Sequence, residues 1–123
     1  MSEITLFVGK GDSRPMTDLA KREEARGAIV AQNEIQVWQK FKSEFPTLSA
    51  RVLAIGDSIR SKGCLIQLIA NCLNAGINTT VDLERCFVDK HDSGGYGNVA
   101  KRKEELLKQL GDLANDTNLI ITP

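Results

Sequence analysis

The chain has 123 residues, of which 41% are hydrophobic and 26% charged, and its 16 basic and 16 acidic residues cancel to zero formal charge. This length and composition are typical of one globular domain over residues 1–123 and exclude a disordered chain. Bulk nucleic-acid binding is not expected, because affinity for a phosphate backbone depends on an excess of cations.

The cysteines and the N-terminus predict in which cellular compartment the protein resides. Cys64 and Cys72 lie two turns apart on one predicted helix, roughly 12 Å at about 1.5 Å per residue, which is too far for a disulfide. Together with Cys86 they are expected to be free thiols. The chain begins without a cationic leader and has no apolar run of about 20 residues. We therefore expect a cytoplasmic protein with no membrane contact, no metal and no cofactor.

The first third of the chain predicts a strand followed by helical sequence. Residues 4–8 form a continuous apolar run, which is typical of a strand covered on both faces. Residues 9–13 form a loop that contains two glycines. A helix is predicted from Thr17, as N-cap, to Pro46, which ends it. Its apolar stripes slip in phase near residues 32–34, so one long bent helix and two shorter helices both fit.

The middle of the chain predicts a strand–turn–helix unit. Residues 51–55 are apolar and β-branched, residues 56–58 (Gly-Asp-Ser) form a tight turn, and residues 59–74 carry a helical apolar stripe. Gly76 follows as a helix-ending residue. The turn lies at the carboxyl end of its strand, where α/β proteins usually bind ligands.

The last third predicts two more strands and a helix. Residues 77–83 alternate β-branched and polar side chains, which favours a strand near the sheet edge, and residues 86–88 extend it. Residues 89–98 form a loop, residues 99–114 a helix and residues 118–122 a last buried strand. Strands that alternate with helices predict a three-layer α/β/α sandwich around a mostly parallel sheet of about four strands.

Two loops carry candidate ligand groups. Lys10 and Gly11 follow the first strand, and a lysine beside glycine amides holds an anion well. Ser58 and Arg60 follow the second strand. The alternatives are structural: the first loop is an ordinary connection, and Asp57 or Ser58 caps the next helix.

A catalytic alternative uses Ser58 as a nucleophile. It would need a histidine base, and the chain has only His91. Residues 52–59, VLAIGDSI, resemble the first block of the GDSL hydrolases, which implies a nucleophilic serine at this position. Residues 93–98 form a second glycine-rich loop, either a phosphate cradle or lid with Tyr96 at its lip, or a plain connection.

A longer stretch of the chain resembles the histidine phosphatase (phosphoglycerate-mutase-like) superfamily, and in plan the small phosphohistidine phosphatases. Residues 14–17, RPMT, match the segment that leads into the family's first helix, and Arg60 matches the arginine of its second signature. Gly9 and Lys10 stand where the family has an arginine and its nucleophilic histidine. Residues 120–123 carry no second histidine. Because a protonated lysine is a poor nucleophile, the resemblance implies a degenerate, non-catalytic member, a pseudoenzyme.

The leading hypothesis is therefore a non-catalytic α/β binding or regulatory protein. Its expected partner is a small anionic or phosphorylated ligand, a protein, or a second copy of the chain. The predicted ligand-binding residues are Lys10, Gly11, Arg14, Ser58 and Arg60. The alternatives are a small hydrolase or phosphatase that uses Ser58 or His91, and a structural assembly or host-interaction protein.

Overall fold

The computed structural model describes residues 3–11, 14–46, 51–88 and 99–122. Within these ranges, parallel strands alternate with helices along the chain. The strands are β1 (Glu3–Val8), β2 (Ile29–Ala31), β3 (Arg51–Asp57), β4 (Thr79–Phe87) and β5 (Leu119–Thr122). The helices are α1 (Arg14–Ala25), α2 (Glu34–Glu44), α3 (Cys64–Asn74) and α4 (Val99–Leu110), and a 3₁₀ turn follows at Gly111–Asn115.

The sheet has the order β2-β1-β3-β4-β5, and every neighbouring pair is parallel. The predicted α/β class is confirmed, with five strands rather than about four. The chain runs outward from β1 to β2 and then returns across β1 to β3, so the strand order reverses between β1 and β3. This is the flavodoxin-like order of doubly wound sheets, in which ligands bind at the reversal.

Helices cover the sheet from both sides. α1 packs against β1, β2 and β3, whereas α2, α3 and α4 pack against one another in a row. Because parallel crossovers are right-handed, the reversal of direction after β2 places α1 on one face and the other three helices on the opposite face. Leu6, Phe7 and Val8 of β1 are fully buried, as a strand covered on both faces requires.

The segment predicted as one bent helix or two shorter helices is a helix, a strand and a second helix. β2 lies between α1 and α2 and pairs with β1 from Leu6 to Val8. The predicted phase slip marks the start of α2, where the side chain of Asn33 accepts a hydrogen bond from the backbone N–H of Gln36 at 3.0 Å. Thr17 was expected to cap the first helix but lies inside α1.

The unit around β3 also differs from its prediction. β3 continues through Gly56 and Asp57, so residues 56–58 do not form a tight turn. α3 begins at Cys64, and its N-cap residue is Gly63, which offers no side-chain hydrogen bond. The interpretation of Asp57 or Ser58 as the helix cap is therefore wrong. The connection that carries Ser58 is six residues long, from residue 58 to residue 63.

The C-terminal half contains one further correction. β4 extends to Phe87, in agreement with the strand extension predicted for residues 86–88. β5 was expected to be buried, but it forms one edge of the sheet, and the side chain of Ile120 is 56% exposed. The predicted loop with His91 and Tyr96 lies outside the described residues. No helix in the described part of the chain is long and apolar enough to cross a membrane.

The reversal between β1 and β3 depends on a close approach of their backbones. Val8 pairs with Gly56, which has a φ of 113°, and a Cβ atom on Gly56 would collide with the carbonyl oxygen of Val8. One residue further, a Cβ atom on Gly9 would lie 2.5 Å from the Cβ atom of Asp57. Only glycine fits at these two positions, because both the space and the backbone angle exclude a side chain.

Replacing Gly56 with alanine should therefore destabilise the fold far more than the same change at Gly27. Gly27 has a φ of 95° but has open space around its missing Cβ atom. We expect Gly27→Ala to lower the free energy of unfolding by about 1 kcal/mol through backbone strain alone. Gly56→Ala should lower the free energy of unfolding by about 3 kcal/mol or more, because the added Cβ atom also forces β1 and β3 apart. Urea unfolding measures both, and equal effects would contradict the close approach.

A buried charge network connects α1 to β4. Glu23 is 2% exposed, and its Oε1 atom lies 2.8 Å from Nη1 of Arg85. The Nε atom of Arg85 donates to Oδ2 of Asp82 at 2.7 Å. Arg26, whose side chain is 72% exposed, lies 3.7 Å from the same Glu23 oxygen. Arg85 therefore supplies most of the compensation for the buried carboxylate.

Removal of Arg85 should leave Glu23 buried and poorly compensated. We expect Arg85→Met to lower the free energy of unfolding by about 2–3 kcal/mol, less than for a fully buried pair because Arg85 is partly exposed. Arg26→Met is the matched control and should cost at most about 0.5 kcal/mol. Chemical denaturation at neutral pH distinguishes the two variants, and a larger effect at Arg26 would show that the network is misassigned.

Candidate functional site

Two loops meet at the carboxyl ends of β1 and β3. The backbone N–H of Gly9 donates to the carbonyl of Ala31 at 3.1 Å, which ties the β1 loop to the end of β2. The N–H of Ile59 donates to the carbonyl of Phe87 at 2.9 Å, which ties the β3 loop to the end of β4. Backbone hydrogen bonds to the neighbouring strands thus hold both loops at one rim of the sheet.

The β3 loop places a buried hydroxyl against the start of α3. Ser58 is 1% exposed, and a Cβ atom on Gly63 would collide with its Oγ atom. Gly63, the N-cap residue of α3, makes no side-chain capping hydrogen bond to the first amides of the helix. A hydroxyl and the positive end of a helix therefore lie together at this rim.

In the described part of these two loops, residues 9–11 and 58–63, the exposed charged side chains are cations. Arg60 and Lys62 are exposed in the β3 loop, and Lys10 is exposed in the β1 loop. The Nζ atom of Lys10 lies 3.7 Å from a carboxylate oxygen of Glu24, and both side chains are about half exposed, at 45% and 54%. An exposed pair of this kind contributes at most about 1 kcal/mol, so Lys10 is readily released to another anion.

Two carboxylates lie at the same rim. Asp57, at the end of β3, is 3% exposed, and its Cβ atom lies close to Gly9. Glu34, the first residue of α2, interacts with the thiol of Cys64, the first residue of α3. Burial, and after it the hydrogen bond and charge of Glu34, raise the pKa of the Cys64 thiol to about 11. The N-termini of α2 and α3 therefore converge at the same rim.

Four of the five predicted ligand residues lie in the two adjacent loops. Lys10 and Gly11 follow β1, and Ser58 and Arg60 follow β3, whereas Arg14 is the exposed first residue of α1. The contact between Glu34 and Cys64 was missed, because it depends on β2, whose three-residue pattern was not recognised. Lys62 and Gly63 were missed because the connection was taken for helix.

The described residues contain no group of three or more His, Cys, Asp or Glu side chains that could hold a metal ion. The rim combines the exposed cations of Lys10, Arg60 and Lys62 with the buried Asp57 and the half-buried Glu34. The chain's one histidine, His91, lies outside the described ranges.

A second concavity lies at the opposite, amino end of the sheet. It has a volume of about 110 Å³, and its charged lining residues are Glu3, Glu23, Arg26 and Glu44. Its carboxylates outnumber its single arginine, and Glu23 is already engaged by Arg85. This concavity therefore does not suit an anionic ligand.

Comparison with known proteins gives no relative: the chain matches no family model, no curated protein and no solved structure.

The shifted pKa of Cys64 predicts slow alkylation. A rise from 9.0 to about 11 lowers the thiolate fraction at pH 8 by about 100-fold, and the thiolate is the reactive form. Burial raises the pKa values of Cys72 and Cys86 to about 12, so their thiols should stay inert in the folded protein. We expect iodoacetamide to modify native Cys64 about 100-fold more slowly than an unshifted thiol.

Removal of the Glu34 charge should speed this reaction. Glu34→Gln lowers the pKa of Cys64, so its alkylation rate at pH 8–9 should rise several-fold, followed by mass spectrometry. Glu44→Gln, at the other end of α2, is the matched control and should leave the rate unchanged. Cys64→Ser gives the background. A rate in Glu34→Gln at or below that of the original chain would contradict the assigned contact.

Proposed function

We propose that the protein is a non-catalytic binding or regulatory module that takes a phosphorylated or otherwise anionic ligand where the loops after β1 and β3 meet. The observation that carries the proposal is the buried Ser58 hydroxyl beside the start of α3, where the N-cap residue Gly63 provides no capping side chain. Such a pair of donors suits an anionic oxygen. The position at the strand-order reversal of a doubly wound sheet supports the same site.

The charge distribution supports an anion rather than a cation. Among the described residues of the two loops, the exposed charges belong to Lys10, Arg60 and Lys62, while Asp57 is buried. A ligand that approaches from solvent meets the cations first. Each charge-assisted hydrogen bond that it gains contributes about 1.5–3 kcal/mol.

The non-catalytic part of the proposal rests on chemistry. Covalent phosphoryl transfer needs a nucleophile, and Lys10 is a poor one when protonated. The resemblance to histidine phosphatases contributes the class of ligand, a phosphorylated group. The three cysteines form no disulfide, which supports the proposed cytoplasmic location.

A phosphate titration of charge variants tests the site. The probes are inorganic phosphate and phosphoserine, followed by calorimetry at low ionic strength. Arg60→Ala and Lys10→Ala should each weaken binding by about five- to tenfold, since one charge-assisted contact is lost. Arg51→Ala is the matched control for Arg60, because Arg51 is exposed at the opposite end of the same strand, β3. It should leave the affinity unchanged.

Two results would contradict the proposal. Binding that is absent, or weakened as much by Arg51→Ala as by Arg60→Ala, would remove the site. Turnover of p-nitrophenyl phosphate or p-nitrophenyl acetate that vanishes in Ser58→Ala would instead support the hydrolase alternative. If the proposal is correct, Ser58→Ala reduces phosphate affinity, and neither the original chain nor the variant hydrolyses these esters.

A further inference from the structure

Among the described residues no strand pairs with the outer side of β5, although β5 is apolar on both faces. Leu119 and Ile121 are half-buried and pack against the core, while Ile120 points to the other face and is 56% exposed. Apolar side chains on both faces are typical of an interior strand rather than an edge strand.

β5 itself carries no charged side chain and no proline against pairing, although it is only four residues long and Pro123 follows it in the sequence. Natural edge strands are protected by charged side chains, prolines or bulges. Residues 117–122 contain no charged residue and no proline. The N–H of Thr79 donates to the carbonyl of Asn118, and Thr79 pairs with Leu119. In a parallel ladder this directs the peptide groups of Leu119 and Ile121 away from β4, toward the open side.

A second apolar side chain flanks the same edge. On α4, Leu106 and Leu110 face the core. One flank carries Glu105 and Gln109, which are half-buried and hydrogen-bonded to each other at 2.9 Å. The opposite flank carries Leu107, which is 38% exposed. Because α4 packs against α3 on its inner side, the flank with Leu107 looks out over β5.

We propose that β5 pairs antiparallel with β5 of a second copy of the chain, about a two-fold axis perpendicular to the sheet. The pairing joins two five-stranded sheets into one and satisfies the outward carbonyl of Leu119 and the outward N–H and carbonyl of Ile121, whereas the N–H of Leu119 already donates to the carbonyl of Asp116 at 3.1 Å. It brings Leu107 toward its counterpart on the helix side and Ile120 toward its counterpart on the other side. A surface that is apolar on both sides of an open edge complements itself.

Charge favours this occupant. An uncharged strand paired with itself places no like charges opposite each other, which would oppose self-association. Zero net charge on the whole chain adds no long-range repulsion between copies. Peptide hydrogen bonds at the strand and apolar contacts on both faces together give an isologous interface of modest area.

Sedimentation equilibrium of the full chain tests the proposal. Across about 1–200 µM, the range in which modest interfaces associate, we expect a monomer–dimer equilibrium. Ile120→Lys should weaken the dimer by at least about tenfold, because it places two like charges at the axis. Leu107→Lys should act in the same direction. Ile35→Lys is the matched control: Ile35 is 59% exposed, but it lies on α2 at the other end of the sheet.

Each outcome decides for or against the interface. A dimer that is lost in Ile120→Lys or Leu107→Lys and retained in Ile35→Lys supports it. A chain that stays monomeric at every concentration overturns it, as does a dimer that Ile35→Lys weakens as strongly as the edge variants. Hydrogen exchange gives a second measurement: the amide of Ile121 should become protected as concentration rises, and protection independent of concentration would count against the pairing.

Discussion

The contact between the backbones of Val8 and Gly56 is the constraint on which the rest of the structure depends. Side chains are excluded here, so β1 and β3 run side by side to the same level before their loops diverge. The chain can then lead outward from β1 to α1 and from β3 to α3 on opposite faces. Both loops are thereby held at one rim, and the buried Ser58 meets the start of α3 there. A bulkier residue at Gly56 would separate the strands and, with them, the two halves of the proposed site.

Much of this architecture could be predicted from local pattern. Continuous apolar runs identified β1 and most of β3, and Gly76 marked the end of α3, because these signals depend on neighbours in sequence. β2 could not be found in this way. It has three residues, and it becomes a strand through pairing with Leu6–Val8. The early start predicted for α3 has a similar cause: Ile59 continues an apolar stripe, but it is buried in the connection that precedes the helix.

The site was predictable to the extent that it lies on loops after strands. Lys10 and Ser58 were predicted after strands and lie there, whereas Arg60 was predicted at the start of a helix and lies in the connection before α3. The reversal of strand order brings the two loops together. The convergence of α2 and α3 was not predictable, since Glu34 reaches Cys64 only when β2 carries the chain back to that rim. The edge position of β5 is likewise a property of topology. Its apolar sequence is typical of an interior strand, and the sequence does not indicate that β5 has a neighbouring strand on one side only.

The proposed ligand site and the proposed dimer interface occupy different parts of the same sheet. The ligand site lies at the carboxyl ends of β1 and β3, whereas the open edge lies along the length of β5, with β4 between them. A two-fold axis at β5 leaves the rim of each copy facing solvent, because strands of the two copies lie side by side and not end to end. Ile59 and Phe87 join the β3 loop to β4, and the side chain of Thr122 donates to the carbonyl of Val81, which joins β5 to β4. β4 therefore supports both the proposed ligand site and the proposed dimer interface, and no side chain belongs to both. Ligand binding and self-association are thus compatible in one molecule.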